Sequence, residues 1–129
     1  MPIIQFTEKD ILRGKVLTPS WYRLRVEAAG EKRSKDGGST NYPMEAVVIK
    51  DSDTGATEYA GVPLEWNFNS KAMSFARGFI EILSGTAPEI GKRYDLADAV
   101  GCEIDAFVEP REFEGRMLNN VTGKFRKPR

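Results

Sequence analysis

The chain has 129 residues, with 19 Lys/Arg against 19 Asp/Glu, about 40% hydrophobic residues and no histidine, enough for one domain with a single core. Without histidine there is no Ser-His-Asp or Cys-His nucleophile and no His-ligated zinc, and the lone Cys102 excludes an internal disulfide or a thiolate cluster. No apolar run reaches the roughly 18 residues of a membrane span, and MPIIQFTEKD lacks the layout of a signal peptide, so the expectation is a cytoplasmic protein that engages no membrane.

Residues 7–13 (TEKDILR) read as a short helix, with Thr7 as N-cap, acids in the first turn and Gly14 as its stop. From Trp21 onward Tyr22, Leu24, Val26 and Ala28 alternate with Arg23, Arg25, Glu27 and Ala29, the period of a strand with one wet face. A polar loop, 31–40 (EKRSKDGGST), precedes a second strand at 42–50 (YPMEAVVIK) and a turn at 51–55 (DSDTG). Residues 57–68 predict a third strand, at an edge or with a bulge because Pro63 lies inside it. The clearest helix spans 70–83, where Ala72, Met73, Ala76, Phe79, Ile80 and Leu83 recur at three- and four-residue steps and Gly85 is placed to end it. One further turn falls in 93–99. A fourth strand follows at 101–109, with Cys102, Ile104, Ala106 and Val108 inward and Glu103, Asp105, Phe107 and Glu109 outward. A connection at 110–115 (PREFEG) leads to a fifth strand at Arg116–Arg126, and residues 125–129 close the single domain as a loose tail.

This order predicts an all-β fold with one main helix: a five-stranded barrel of the oligonucleotide/oligosaccharide-binding (OB) type, strand-strand-strand-helix-strand-strand, plus the short N-terminal helix. A half-open sheet with one packed helix has the same order. The two connections such barrels use for ligands would be 31–40 and 110–115.

Charge is unevenly spread. Residues 1–35 carry a net +4, 36–110 a net −8 and 111–129 a net +4. If the ends meet in space, they make one positive surface. Candidate phosphate contacts are Arg23 and Arg25 on the first strand, Lys32, Arg33 and Lys35 in the first loop, Arg111 and Arg116 around the last one, and Lys124 near the end. Candidate stacking rings are Tyr42, Trp66, Phe107 and Phe113. Phe107 falls among acids on the outward face, where an aromatic stacks a base, meets a partner subunit or packs under a terminal helix.

Catalysis has little to build on. There is no GxxxxGK[ST] or GxGxxG phosphate loop. Asp51-x-Asp53-x-Gly55 lacks the closing Glu of a calcium loop and reads as an Asx-rich hairpin turn. Glu103 and Asp105, on one strand face, are the pair that a metal-dependent enzyme would use. Cys102 reads as a small core residue. No cofactor is expected.

The stretches WNFNSKAMSFARGFIEIL from Trp66, YDLADAVGCEIDAFV and FEGRMLNNVTGKF together resemble a group of small phage-encoded proteins from replication and recombination modules. These are similar to single-stranded DNA-binding proteins of the OB type. The resemblance implies a non-catalytic protein that binds single-stranded DNA, with a homo-oligomer such as a dimer and phage replication or recombination proteins as further partners. The chain departs from such binders in its basic ending, FRKPR, where many carry an acidic tail that recruits partners. The rival expectation is a phage protein-interaction or assembly module without DNA affinity.

Overall fold

The computed structural model describes residues 2–129, Met1 lying outside the described residues. The fold is all-β: one antiparallel sheet of six strands with a short helix on either side of the first four. The chain runs α1 (Glu8–Arg13), β1 (Ser20–Ala29), β2 (Lys32–Arg33), β3 (Thr40–Asp51), β4 (Pro63–Asn69), α2 (Arg77–Ser84), β5 (Glu103–Phe113) and β6 (Arg116–Arg126).

Hydrogen-bonded neighbours run β4-β3-β1-β5-β6, with β2 pairing β3 at residues 40–41, beyond the end of β1. The return of β5 to lie beside β1, after the β1-β3-β4 meander, makes a Greek key. β4 and β6, at the two ends of that order, are not paired, so hydrogen bonding does not close the sheet. Aromatic contacts cross the gap instead. Phe125 of β6 lies 6.0 Å from Trp66 and 6.2 Å from Phe68 of β4, and 5.3 Å from Phe79 of α2, ring centre to ring centre.

Strict alternation builds the interior. Tyr22, Leu24 and Val26 of β1, Met44, Ala46 and Val48 of β3, Leu64, Trp66 and Phe68 of β4, and Ile104, Ala106 and Val108 of β5 all point inward and are buried. Burying each large apolar side chain contributes about 1.5–3 kcal/mol, so the core rests chiefly on these strands and on the Phe79–Ile80 face of α2.

The local signals decide most boundaries. Thr7 caps α1 in a full capping box with Asp10. The main helix starts later than its periodicity predicts. A 3-10 turn at Met73–Ala76 precedes α2, because the Asn69 side chain takes the Lys71 N–H at 2.8 Å and holds residues 69–72 in a turn; Gly85 then ends α2 left-handed at φ 79°. The third strand starts at Pro63 rather than at 57, since 57–62 form consecutive turns closed by Ala60 N–H to Thr57 O and Val62 N–H to Tyr59 O. Pro63 sits at the first residue of a strand that pairs on one side only, as proline requires.

Two expectations are corrected. The 110–115 connection is no loop: β5 runs on to Phe113, and only Glu114 and Gly115, both at positive φ (50° and 77°), make the turn. Cys102 is exposed, because β5 begins one residue later and Ala99 fills the core position near it. Of the expected loose tail at 125–129, three residues make contacts with the sheet. Phe125 packs on the core, and Arg126 and Arg129 bond to β5 and β1.

Candidate nucleic-acid interface

The hairpin between β1 and β3 is a built loop. Asp36 accepts from the Ser34 hydroxyl and from the Gly38 N–H at 2.8 Å, while Gly37 takes φ 70° to turn the chain. Those two bonds outweigh the small effect of burial and hold the Asp36 carboxyl below its usual range. Lys32, Arg33 and Lys35 are exposed on this hairpin, and the Lys71 amine stands 3.2 Å from the point where a Gly38 Cβ would be. A side-chain ladder fixes the hairpin base to the end of β4: Asn67 and Asn69 both donate to Asn41 Oδ1, at 2.9 and 2.8 Å, and the Thr40 N–H donates to Ser70 Oγ.

Directly behind the hairpin lies a cleft of about 750 Å³. Ala29, Gly30 and Tyr42 form one wall, Met73 and Ile80 another, and Tyr94 and Leu96 a third. Lys92 and Arg93 stand exposed at its rim, with Lys92 Nζ 5.6 Å from the centre of the Tyr94 ring; Glu31 and Asp95 also border it. Lys32 and Arg33 follow immediately on the wall residues Ala29–Glu31 in the chain. Two partly exposed tyrosine rings beside cations are the ingredients of base stacking and phosphate contact. Lys92, Arg93 and Tyr94 were not among the candidates that the sequence singles out. The run Lys-Arg-Tyr was its visible signal.

The other expected residues scatter. Arg23 is committed elsewhere: its Nε donates to Asp105 Oδ1 at 2.7 Å, it approaches Glu103 at 3.8 Å, and it donates to the Arg129 main-chain oxygen. Arg25 pairs with Glu27 at 3.0 Å. Trp66 is only 8% exposed and belongs to the core, so its ring face is closed to a base in this structure. Tyr42 is half-buried with its ring in the cleft wall. Phe107 packs edge-on to Trp21 at 5.7 Å, with Lys124 Nζ 5.8 Å above it, which accounts for an aromatic on the outward face.

Arg111, Phe113 and Arg116 are exposed around the Glu114–Gly115 turn, at the far end of the sheet: β1 meets β5 from Ser20↔Val108 to Arg25↔Glu103, so the first hairpin leaves one end of that pair and the second the other. The two basic hairpins therefore lie at opposite ends of the sheet, while Arg23 of the first basic segment meets Arg126 and Arg129 of the last at Asp105.

The outward side of β1, β5 and β6 is organised around Asp105. Its carboxylate is wholly buried and accepts from Arg23 Nε, Arg126 Nε at 3.3 Å, the Arg129 N–H at 3.4 Å and the Ser52 hydroxyl. Burial alone would raise its pKa; the hydrogen bonds from Ser52, Arg23 and Arg126 and the charge of Arg23 overcome that and hold it below the usual value. Arg126 also reaches Asp53 at 2.6 Å and lies 4.2 Å above the Trp21 ring. Of the pair that the rival metal-enzyme reading would use, Asp105 is engaged by these donors and Glu103 stands 3.8 Å from Arg23. Among the described residues no three His, Cys, Asp or Glu side chains gather as a metal site would need, and no helix is long and apolar enough to cross a membrane.

No family model matches the chain, and no curated protein matches it.

Proposed function

We propose that this protein binds single-stranded DNA, with little dependence on sequence and without catalysis, at the end of the sheet that carries the β1–β3 hairpin and the tyrosine cleft. The observation that carries the reading is the cleft itself: Tyr42 and Tyr94 in its walls, Lys92 and Arg93 at its rim, and Lys32 and Arg33 on the adjoining strand. The same cations neutralise phosphates while the rings take the faces of unpaired bases.

The strand order supports an OB-type barrel whose β4–β6 seam is bridged by aromatic packing in place of hydrogen bonds, in keeping with the partly open barrels of that type. The resemblance to phage replication and recombination proteins supplies the setting, host-cell DNA metabolism during phage growth, and homo-oligomers or replication proteins as partners. The acidic middle of the chain supports the polarity of the reading, since Glu45 and Glu65 on the outward face of β3 and β4 repel a strand from that side.

Fluorescence anisotropy with a labelled oligo(dT) of about 30 nucleotides tests the proposal, with duplex of equal length as control. Binding that exceeds duplex binding and weakens with salt supports it. No binding at low salt, where screening is weakest, ends it. One further observation favours the assembly-module reading: Ile3, Ile4 and Phe6 near the N-terminus and Phe113, Met117 and Leu118 on the β5–β6 hairpin are all exposed. An oligomer without DNA affinity is its signature.

A further inference from the structure

The β5–β6 hairpin runs past the rest of the sheet. β1 pairs β5 only as far as Ser20↔Val108, so residues 109–113 and their partners on β6 stand as a two-stranded ribbon, which alone is marginal in water. Pro110 has no N–H to give Asn119 opposite it, so Pro110↔Asn119 is a non-hydrogen-bonded pair. By alternation Glu112↔Met117 is another, and Met117 and Asn119 turn their N–H and C=O groups away from β5, toward the open edge. The cavity at the seam with β4 reaches β6 at 120–122, and ahead of it Arg116, Met117 and Leu118 are exposed. The other free edges are guarded. β2 is two basic residues long, β4 opens with Pro63, and the free stretch of β5 holds Pro110, whereas residues 116–120 (RMLNN) carry no proline. An unguarded edge is a template for a further strand.

That edge is complementary to itself. We propose that two copies of the chain dimerise here, β6 against β6, antiparallel about a two-fold axis at Leu118. Met117 of each copy then exchanges N–H···O bonds with Asn119 of the other, as their outward main-chain groups allow, and a slip by one residue would oppose groups that point the wrong way. A slip by two would set Leu118 against Arg116 or Asn120, whereas the axis at Leu118 sets leucine against leucine. Side chains on the outward face line up in rows across both copies. Leu118 meets its own copy, with an Arg111 on either side, and Asn120 meets Arg116, with Glu109 and Phe113 beyond them. Glu109 and Arg116 are exposed, and neither is ion-paired within one copy among the described residues. Across the axis they lie two strands apart, about 10 Å, within reach of two long side chains of opposite charge. Phe113, diagonal to Leu118 in its own hairpin, widens the apolar strip. The dimer stands whether or not the tyrosine cleft binds DNA, and with the clefts at the opposite end of each sheet it leaves both of them open.

Analytical ultracentrifugation of the full chain reads the oligomeric state, and oxidative cross-linking reads the register. The chain is expected to sediment as a dimer at micromolar concentration. Met117→Pro removes an N–H that only the second copy would receive, at the kind of ladder position that Pro110 already occupies. Leu118→Lys sets two like charges opposite each other at the axis. Both variants are expected to sediment as monomers with an unchanged far-ultraviolet circular dichroism spectrum. If Met117→Pro fails to fold, Leu118→Lys decides alone, since that side chain is already half-exposed. In a Cys102→Ser background, Leu118→Cys places two thiols at the axis on Cα atoms about 4.5 Å apart, a separation that suits a disulfide. Met117→Cys sets them two residues further along, beyond the roughly 7 Å limit. Leu118→Cys is therefore expected to cross-link on oxidation and Met117→Cys to stay reduced. A chain that stays monomeric, a dimer untouched by Leu118→Lys, or cross-linking from Met117→Cys as ready as from Leu118→Cys overturns the proposal.

Discussion

Arg23 of β1 and Asp105 of β5 stand directly opposite each other on the outward side of the sheet, Nε to Oδ1 at 2.7 Å, with the carboxylate fully removed from solvent. A strand's outward position is ordinarily wet. Here Arg126, Ser52 and the Arg129 main chain roof it over and link β1, β5, the β3–β4 turn and the chain's last residues. Removing the carboxylate leaves two largely buried guanidinium groups facing each other, with only the partly exposed Asp53 on Arg126 and the more distant Glu103 near Arg23 as counter-charges. Breaking a buried pair in this way costs about 3–5 kcal/mol, and the residual exposure of Arg23 and Arg126 puts Asp105→Ala at the lower end, about 3 kcal/mol by urea denaturation. A loss under about 1 kcal/mol would show the cluster to be decoration.

The same cluster sets an acid limb. Asp105 and Asp51 both titrate below the usual carboxylate value when folded. At Asp51 burial pulls upward, but the Ser20 hydroxyl and the Thr54 and Asp53 N–H groups prevail. A depressed folded pKa means stability that is present in full above the unfolded value of about 3.9 and is lost as pH falls through the folded one. Stability measured from pH 7 downward is therefore expected to hold to about pH 4 and then fall, and Asp105→Asn is expected to flatten that fall while lowering the plateau.

Gly123, at φ 89°, lies under the Phe75 ring, and a Cβ there would collide with Phe75 Cε2. Alanine would be strained in the backbone, by about 1–2 kcal/mol, and would also push the ring off its seat. Gly123→Ala is expected to cost about 3 kcal/mol in total. The steric share is expected to vanish in a Phe75→Ala background, where the backbone share alone remains. Full additivity of the two substitutions would place the ring elsewhere.

Glu114 occupies the first position of the two-residue β5–β6 turn at φ 50°, which a long acidic side chain tolerates poorly and asparagine tolerates well. Glu114→Asn creates the Asn-Gly pair that such turns favour. It is expected to raise stability by about 0.5 kcal/mol, read as a higher urea midpoint at unchanged slope.

Period-two alternation made β1 and β5 legible in the sequence, and β-branched apolar composition did so for β3, because the core is built from the apolar sets of these strands. The capping box of Thr7 and the left-handed Gly85 were legible for the same local reason. What the sequence hides is whatever depends on a distant residue. Asp105 looks like one more solvated acid until Arg126, 21 positions later, folds across it. Trp66 looks like a platform until Phe79 and Phe125 enclose it. The reach of β5 to Phe113 is hidden because PREFEG has loop composition, and only pairing with β6 holds it extended. The cleft was missed since its cations and its second tyrosine come from 92–94, in a stretch read only as a helical turn.

The two basic ends of the sheet give the proposed function its sharpest division. Lys92 and Arg93 flank the tyrosine cleft, whereas Arg111 and Arg116 lie near the opposite turn. Each phosphate contact steepens the dependence of log affinity on log salt by about 0.7 for single strands. Lys92→Ala with Arg93→Ala is therefore expected to lower the magnitude of the oligo(dT) salt slope by roughly 1.4 and to weaken binding at low salt. Arg116→Ala is expected to leave the slope unchanged. Tyr94→Leu separates the two contributions at the cleft: it removes a stacking face worth about 1–3 kcal/mol while preserving the charges, so affinity should fall with the slope intact. If Arg116→Ala flattens the slope and the Lys92/Arg93 pair does not, the strand follows the β5–β6 hairpin and the cleft serves another ligand.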